Sequence, residues 1–423
     1  MPAELLAPTL LFSGVFIMKT IRVPHSFGSF GAALFISGLP FLSALLPSAP
    51  AQDQEAKKAK FFEEAKKAKS FDWENLQSDV DGVADRTDSN VVNAWGLVTN
   101  PTGKVFWVND NGSGVSTLFS PDGTPVLLPS KPPQNFVTLP VTAGDKAMTP
   151  PVTTAAPTGI VFNSFSSSNE FLIPGTKSPA LFIFDGEDGG IWAWNQNVEN
   201  LTEAVLVVDS STSPTLADSS VFKGLAIADR TAGGPALYAT NFRAGKVFVY
   251  DTNFTLVTQF TDPHPPLDVP AGSQGWAPFG IANIDGLLYV TFAAQNDAKH
   301  DDVAGPGNGF VDVFTPEGGL VKQLIVGGAL NSPWGLAKVP KHEQFGGFDD
   351  QVLLVGNFGD GQINAYDIGN PNAVKSLGSL QHRTNQPLKF NGLWGLFFLN
   401  DELYFNAGIV DEAHGLFGFI HHP

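Results

Sequence analysis

From about residue 71 onward, short apolar runs alternate with turns rich in Gly, Asn, Asp and Pro. The runs are too short for helices, and their apolar positions do not fall at helical spacing. Val, Ile, Phe, Tyr and Trp crowd them, so the pattern predicts strands joined by tight turns.

The strands recur as a unit. A Gly followed by an apolar pair marks the first strand six times, at Trp95-Gly96-Leu97, Thr158-Gly159-Ile160, Lys223-Gly224-Leu225, Phe279-Gly280-Ile281, Trp334-Gly335-Leu336 and Trp394-Gly395-Leu396. The glycines are 63, 65, 56, 55 and 60 residues apart. A second strand follows each, as in Phe106-Trp107-Val108 or Leu403-Tyr404-Phe405, and then a third ending in an aromatic, as in Val247 to Tyr250. A weaker fourth strand is expected at Val126–Leu128, Leu206–Val208, Leu256–Val257 and Leu320–Val321.

One four-stranded meander cannot bury both faces alone. Six of them set around an axis bury aromatic faces between neighbours, which predicts an all-β, six-bladed β-propeller. The glycines fit innermost strands that crowd the axis. The sixth unit ends after Phe419-Ile420 without a fourth strand, and Leu76 to Val80 precede the first unit without a partner. Leu76–Val80 is therefore expected to complete the last blade and close the ring. A seven-bladed ring and two stacked sandwiches are the competing arrangements; six complete units and one complementary leftover strand favour six blades.

The N-terminus reads as an address. Met18-Lys19-Thr20-Ile21-Arg22 is basic, Gly31 to Leu46 is apolar, and Ala49-Pro50-Ala51 resembles a cleavage site. Residues 1–51 are expected to be a signal peptide, with the first 17 an over-extended start or a longer basic region, and the protein to be exported to the periplasm, cell surface or medium. A retained anchor helix is the alternative, although the apolar run falls short of the ~20 residues a span needs. Residues 52–70 are a charged linker with EAKKAK-like repeats, leaving 71–423 as one domain.

Charge and composition narrow the partners. The chain has no Cys, which removes disulfides and thiolate chemistry. Its net charge is −17, and residues 70–423 carry 16 basic against 36 acidic side chains. So negative a surface repels phosphate backbones, and no nucleic-acid partner is expected. The mature protein is expected to be a monomer without a transmembrane segment.

Several stretches together carry a family resemblance. They include Asn93-Ala-Trp-Gly-Leu97, Phe106-Trp-Val-Asn-Asp-Asn-Gly112, Pro157-Thr-Gly-Ile-Val-Phe-Asn163, Asn331-Ser-Pro-Trp-Gly-Leu336 and Leu353-Leu-Val-Gly-Asn-Phe-Gly-Asp-Gly361. Over residues 71–420 the chain resembles a family of exported bacterial six-bladed propellers with no assigned activity, and more distantly the NHL-type repeats. The usual Asn-Pro-Trp-Gly of that family is Asn-Ala-Trp-Gly here. The resemblance implies fold and export, and brings no activity with it.

In such a ring, the loops leading into first strands and those joining second to third strands open on one face. Candidate ligand-binding residues there are Trp95, Trp276, Trp334, Trp394, Asn93 and Asn391, since Trp stacks on sugars or grips apolar groups, although packing between blades is the favoured use of each Trp taken singly. Asp110, Asn241, Asn357 and Glu412 are candidate oxygen ligands for Ca²⁺ or another divalent cation; Asp185-Gly-Glu-Asp-Gly-Gly190 is a second oxygen-rich turn. Asx capping of the turns explains the same residues without a metal. His300, Glu412 and His414 are the acid–base candidates. The favoured function is binding of a small molecule, glycan or protein on this face. The alternatives are a lactonase-like, cation-dependent hydrolase and a structural role in an extracellular matrix.

Overall fold

The computed structural model describes residues 70–212 and 218–423. The expected signal peptide and nearly all of the charged linker lie outside the described residues. Six antiparallel four-stranded blades form the ring. Blade 1 is β3 (Ala94–Thr99), β4 (Phe106–Asp110), β5 (Val115–Phe119) and β6 (Phe136–Thr138). Blade 2 is β7 (Pro157–Phe162), β8 (Phe182–Gly186), β9 (Gly190–Trp194) and β10 (Val205–Asp209). Blade 3 is β11 (Phe222–Arg230), β12 (Gly234–Asn241), β13 (Lys246–Tyr250) and β14 (Leu256–Phe260). Blade 4 is β15 (Trp276–Ile284), β16 (Leu287–Ala294), β17 (Phe310–Phe314) and β18 (Leu320–Val326). Blade 5 is β19 (Pro333–Lys338), β20 (Val352–Asn357), β21 (Ile363–Asp367) and β22 (Lys375–Ser379). Blade 6 is β24 (Leu393–Leu399), β25 (Glu402–Ala407), β26 (Leu416–His421) and, from the other end of the chain, β1 (Ser70–Ser78).

The closing strand is longer than Leu76–Val80. It pairs antiparallel with β26 from Asp72↔His421 to Ser78↔Leu416, with a bulge around Leu76. Asp79 and Val80 lie past its end. There Asp79 fastens the closure, accepting from Gly415 N at 2.9 Å and facing His414 Nδ1 at 2.6 Å. Two short parallel strands, β2 (Arg86–Thr87) and β23 (Gln381–His382), pair with β1, so the seam presents no long bare edge. In blade 1 the fourth strand is Phe136–Thr138 rather than Val126–Leu128. Pro125, Pro129, Pro132 and Pro133 lack N–H donors and break up the earlier segment.

The repeated glycines sit where the inner strands touch. A Cβ on Gly96 would strike the Thr158 carbonyl, one on Gly159 the Leu225 backbone, one on Gly280 the Trp334 carbonyl, one on Gly335 that of Trp394, and one on Gly395 that of Trp95. Each glycine thus lets its blade meet the next, and the contacts run round the ring. Side chains staple the same junctions. Asn109 donates to the Thr158 and Gly159 carbonyls at 3.2 and 3.0 Å, Asn406 to those of Trp95 and Gly96 at 3.3 and 3.2 Å, and Thr240 to that of Phe279 at 2.7 Å. Farther out, aromatics fill the gaps between blades, as where Trp107 stacks on Phe182 at 4.3 Å. Burying each such ring stabilises the fold by roughly 1.5–3 kcal/mol.

Candidate functional site

Three of the four expected tryptophans meet on the axis. Trp95 and Trp394 stack with centroids 3.4 Å apart, Trp334 stands edge-on to both, and Phe358 stacks on Trp394 at 4.1 Å. With Phe242 and Phe279 they form an aromatic plug across the channel. The three tryptophans are buried, so they make a floor rather than a rim. Trp276 is elsewhere: it packs edge-on to Phe310 at 5.5 Å within blade 4, and its Nε1 donates to Pro266 O at 3.1 Å. Asn391 is exposed in the turn before β24.

A polar network lies against this plug. Lys223 occupies the position that is aromatic in four of the other five repeats, and only 2% of it is exposed. Its ammonium contacts Glu187, lies 3.7 Å from Asp301, and sits 5.2 Å from the Trp95 ring and 5.8 Å from that of Phe242. Burial works to lower the Lys223 pKa, but the Glu187 and Asp301 carboxylates outweigh it and the net direction is up. The lysine therefore stays charged in a site where an unpaired cation would be costly.

Glu187 accepts from Asn111 Nδ2 at 2.9 Å. Asn93 Nδ2 reaches Asn111 at 3.3 Å and Glu412 at 2.9 Å, and Asn93 Oδ1 accepts from Trp394 Nε1 at 3.2 Å. Burial, followed by the charge of Glu187, raises the Glu412 pKa. On the opposite side His300 Nδ1 faces Asp301 at 2.7 Å and Glu187 at 4.0 Å. The bond from His300 and the charge of Lys223 hold the Asp301 carboxyl down at about 2.

Five blades thus contribute: Asn93 and Asn111 from blade 1, Glu187 from 2, Lys223 from 3, His300 and Asp301 from 4, Glu412 from 6. The backbone here is strained. Asn93, Lys299, Ser332, Val410, Asp411 and Glu412 all have φ between 46° and 65° without being glycine. Val410 is β-branched, and three successive left-handed residues hold Glu412 in place, a conformation that costs free energy and clusters at functional sites.

The other candidates do not assemble. Asp110 is buried and accepts from Thr117 Oγ1 at 2.8 Å, and burial raises its pKa well above the usual range. Asn241 accepts from Val221 N and Ala244 N, and Asn357 donates to Ala329 O at 2.8 Å. Asn241 and Asn357 serve loops of their own blades, Asp110 bonds a side chain of the adjacent strand β5, and only Glu412 of that set reaches the network. Asp185 likewise lies inside blade 2, bonded by Thr158 Oγ1 and Gly159 N. His414 belongs to the closing seam. Among the described residues, one group fits a metal by proximity: Glu187, His300 and Asp301, with ligand atoms within 4.8 Å of one another.

Glu187 lies in the oxygen-rich Asp185–Gly190 turn and Lys223 heads a repeat motif, but neither was among the expected ligand-binding or acid–base residues. The available signal was the basic side chain at a repeat position otherwise filled mostly by aromatics. What it pairs with was not visible, because Lys223 and Glu187 come from different blades.

No family model matches the chain. Three relatives are uncharacterised proteins of Acanthamoeba polyphaga mimivirus. One is 28% identical over 80% of this chain and 76% of its own length, a second 30% over 62% and 66%, and a third 29% over 57% and 42%. These relatives are viral, so they lend no support to the bacterial source that the motifs suggested. Among solved structures, a glucose dehydrogenase is 12% identical over 82% of this chain and 99% of its own, with a TM-score of 0.47. The soluble aldose sugar dehydrogenase of Escherichia coli is 12% identical over 84% and 100%, with a TM-score of 0.46. A streptogramin B lyase is 12% identical over 83% and 97%, with a TM-score of 0.37. Likeness at this level says nothing about activity.

Proposed function

We propose that the protein binds a small polar molecule on the axial face, against the tryptophan plug, with Lys223 and Glu187 as the charged anchors. The observation that carries this is the convergence of one network from five blades on a buried lysine, reached through strained loops. Scaffolding needs no such arrangement: the Asn and Thr staples already tie the blades together. His300, oriented by Asp301, and Glu412, held toward its protonated form, stand in the same network to exchange protons with a bound hydroxyl or carboxyl group.

The test is a thermal-shift screen of the full chain against monosaccharides, lactones and hydroxy acids, repeated in Lys223→Met and Glu187→Gln. A compound that stabilises the wild type and neither variant supports the site. Hits that stabilise all three equally place binding elsewhere and sink the proposal.

A second reading is a cation-dependent hydrolase with Glu187, His300 and Asp301 as ligands, in place of the set first expected. Against it, the Lys223 ammonium already contacts Glu187 and faces Asp301, where a divalent ion would be repelled. Titration with Ca²⁺, Mn²⁺ and Zn²⁺ separates the two. Stabilisation of the wild type that is abolished by chelator and strengthened in Lys223→Met favours the metal; no shift up to millimolar ion removes it.

A further inference from the structure

The aromatic plug divides the axial channel, and its other side is chemically unlike the polar face. There a well of about 340 Å³ opens at the opposite end of the ring. Each blade contributes residues of its inner strand, among them one aliphatic side chain at an equivalent place: Leu97, Ile160, Leu225, Ile281, Leu336 and Leu396. These follow the crowded glycines, at equivalent positions in the six inner strands. Ring geometry holds the strands too far apart for aliphatic side chains to meet on the axis, so the hollow follows from the fold. Its volume lies within the range of small-ligand sites, roughly 300–1,000 Å³. The aliphatic ring offers water few partners, so displacing water with an apolar group is favourable at that level.

The rim adds a charge. Lys338 lines the well and Lys341 lies nearby, and both pair with one carboxylate, Asp285, at 2.6 and 3.5 Å. Lys338 is the one charged side chain among the residues that line the well, and on a strongly acidic protein it offers an anion a partner there. An anion at the rim would complement it.

We infer that this well is a binding site for an aliphatic chain ending in an anionic group, with the chain inside the six-residue ring and the anion at Lys338. The site is independent of the polar face, from which the plug separates it.

Calorimetric titration of the full chain with sodium hexanoate, octanoate and decanoate tests this, with 1-decanol and decyltrimethylammonium for comparison. Each added CH₂ should tighten binding about fourfold until the well is full. Decanoate should bind more tightly than decanol, and the cation more weakly than either. Lys338→Ala should bring decanoate to the level of decanol and leave decanol unchanged. Ile160→Trp, which fills the well, should abolish both; if circular dichroism shows it unfolded, Leu225→Phe is the milder replacement. Lys223→Met, on the other side of the plug, should leave decanoate affinity unchanged. No dependence on chain length, undiminished binding in the filled variant, or preference for the cation would each overturn the inference.

Discussion

Replacing Asp185 with Asn should make the protein more stable, and more so as the pH rises. Asp185 is the fourth residue of its β8 run, and the matching residues are Asn109 in blade 1 and Asn406 in blade 6. Those two donate to carbonyls of the next blade; Asp185 instead accepts from Thr158 Oγ1 at 3.0 Å and Gly159 N at 2.7 Å. Its second oxygen has no partner among the described residues. Burial pushes its pKa from 3.8 up to about 7, against the lowering effect of those bonds. The folded state therefore holds a proton that the unfolded chain releases near pH 4. Stability is fully present below about pH 4, falls as pH rises toward 7, and is level above that. Three pH units at ~1.36 kcal/mol each make the loss about 4 kcal/mol, of which about 2.5 kcal/mol falls between pH 5 and pH 8. Asn keeps the accepting oxygen and supplies a permanent donor, so the variant lacks this slope. Urea unfolding of wild type and Asp185→Asn from pH 5 to pH 8.5 measures the difference. Curves that stay parallel across that range would show that Asp185 is ionised throughout, and the reasoning would fail.

Other predictions address the ring, a second buried acid and the seam. Gly335→Ala should lower the unfolding free energy by roughly 1–3 kcal/mol, because its Cβ meets the Trp394 carbonyl, whereas Gly319→Ala, with only Thr315 nearby at 3.4 Å, should change it little. Equal effects in urea titrations would remove the steric account of the repeated glycine. Asp312 is pushed up to about 8 by burial and by the neighbouring Asp262, so it too costs stability as pH rises from about 4 to 8, and Asp312→Asn should flatten that part of the profile. Asp79→Ala should lower stability by about 1–3 kcal/mol and speed proteolysis near Ser70, since Gly415 N and His414 lose their shared partner. Unchanged protease sensitivity would mean that β1 is held by its backbone ladder alone.

Much of this protein was legible along the chain because it depends on local, repeated constraints. Six glycines at near-regular spacing, each before an apolar pair, state how many inner strands there are. A first strand without a partner and a last blade without an edge state how the ring closes. These signals survive in one dimension because strand periodicity and steric crowding act on neighbouring residues. Boundaries were less legible: β1 runs from Ser70 to Ser78 because its ladder partner β26 dictates its length, and the fourth strand of blade 1 moved to Phe136–Thr138 because prolines break up the nearer segment. The site was legible only in part. Trp95, Trp334, Trp394, Asn93, His300 and Glu412 are placed at the axis or in its network. The union of Lys223 with Glu187 and Asp301 is not written in any local pattern, since each comes from a different blade. Asp110, Asn241 and Asn357 looked like ligands because Asx residues serve turns and metals equally well, and only the hydrogen bonds of the folded blades distinguish those uses. Which side chains share a low-dielectric pocket is a property of the closed ring. Distances between blades, and the burial that sets the ionisation of Asp185 and Glu412, exist only once the ring has formed.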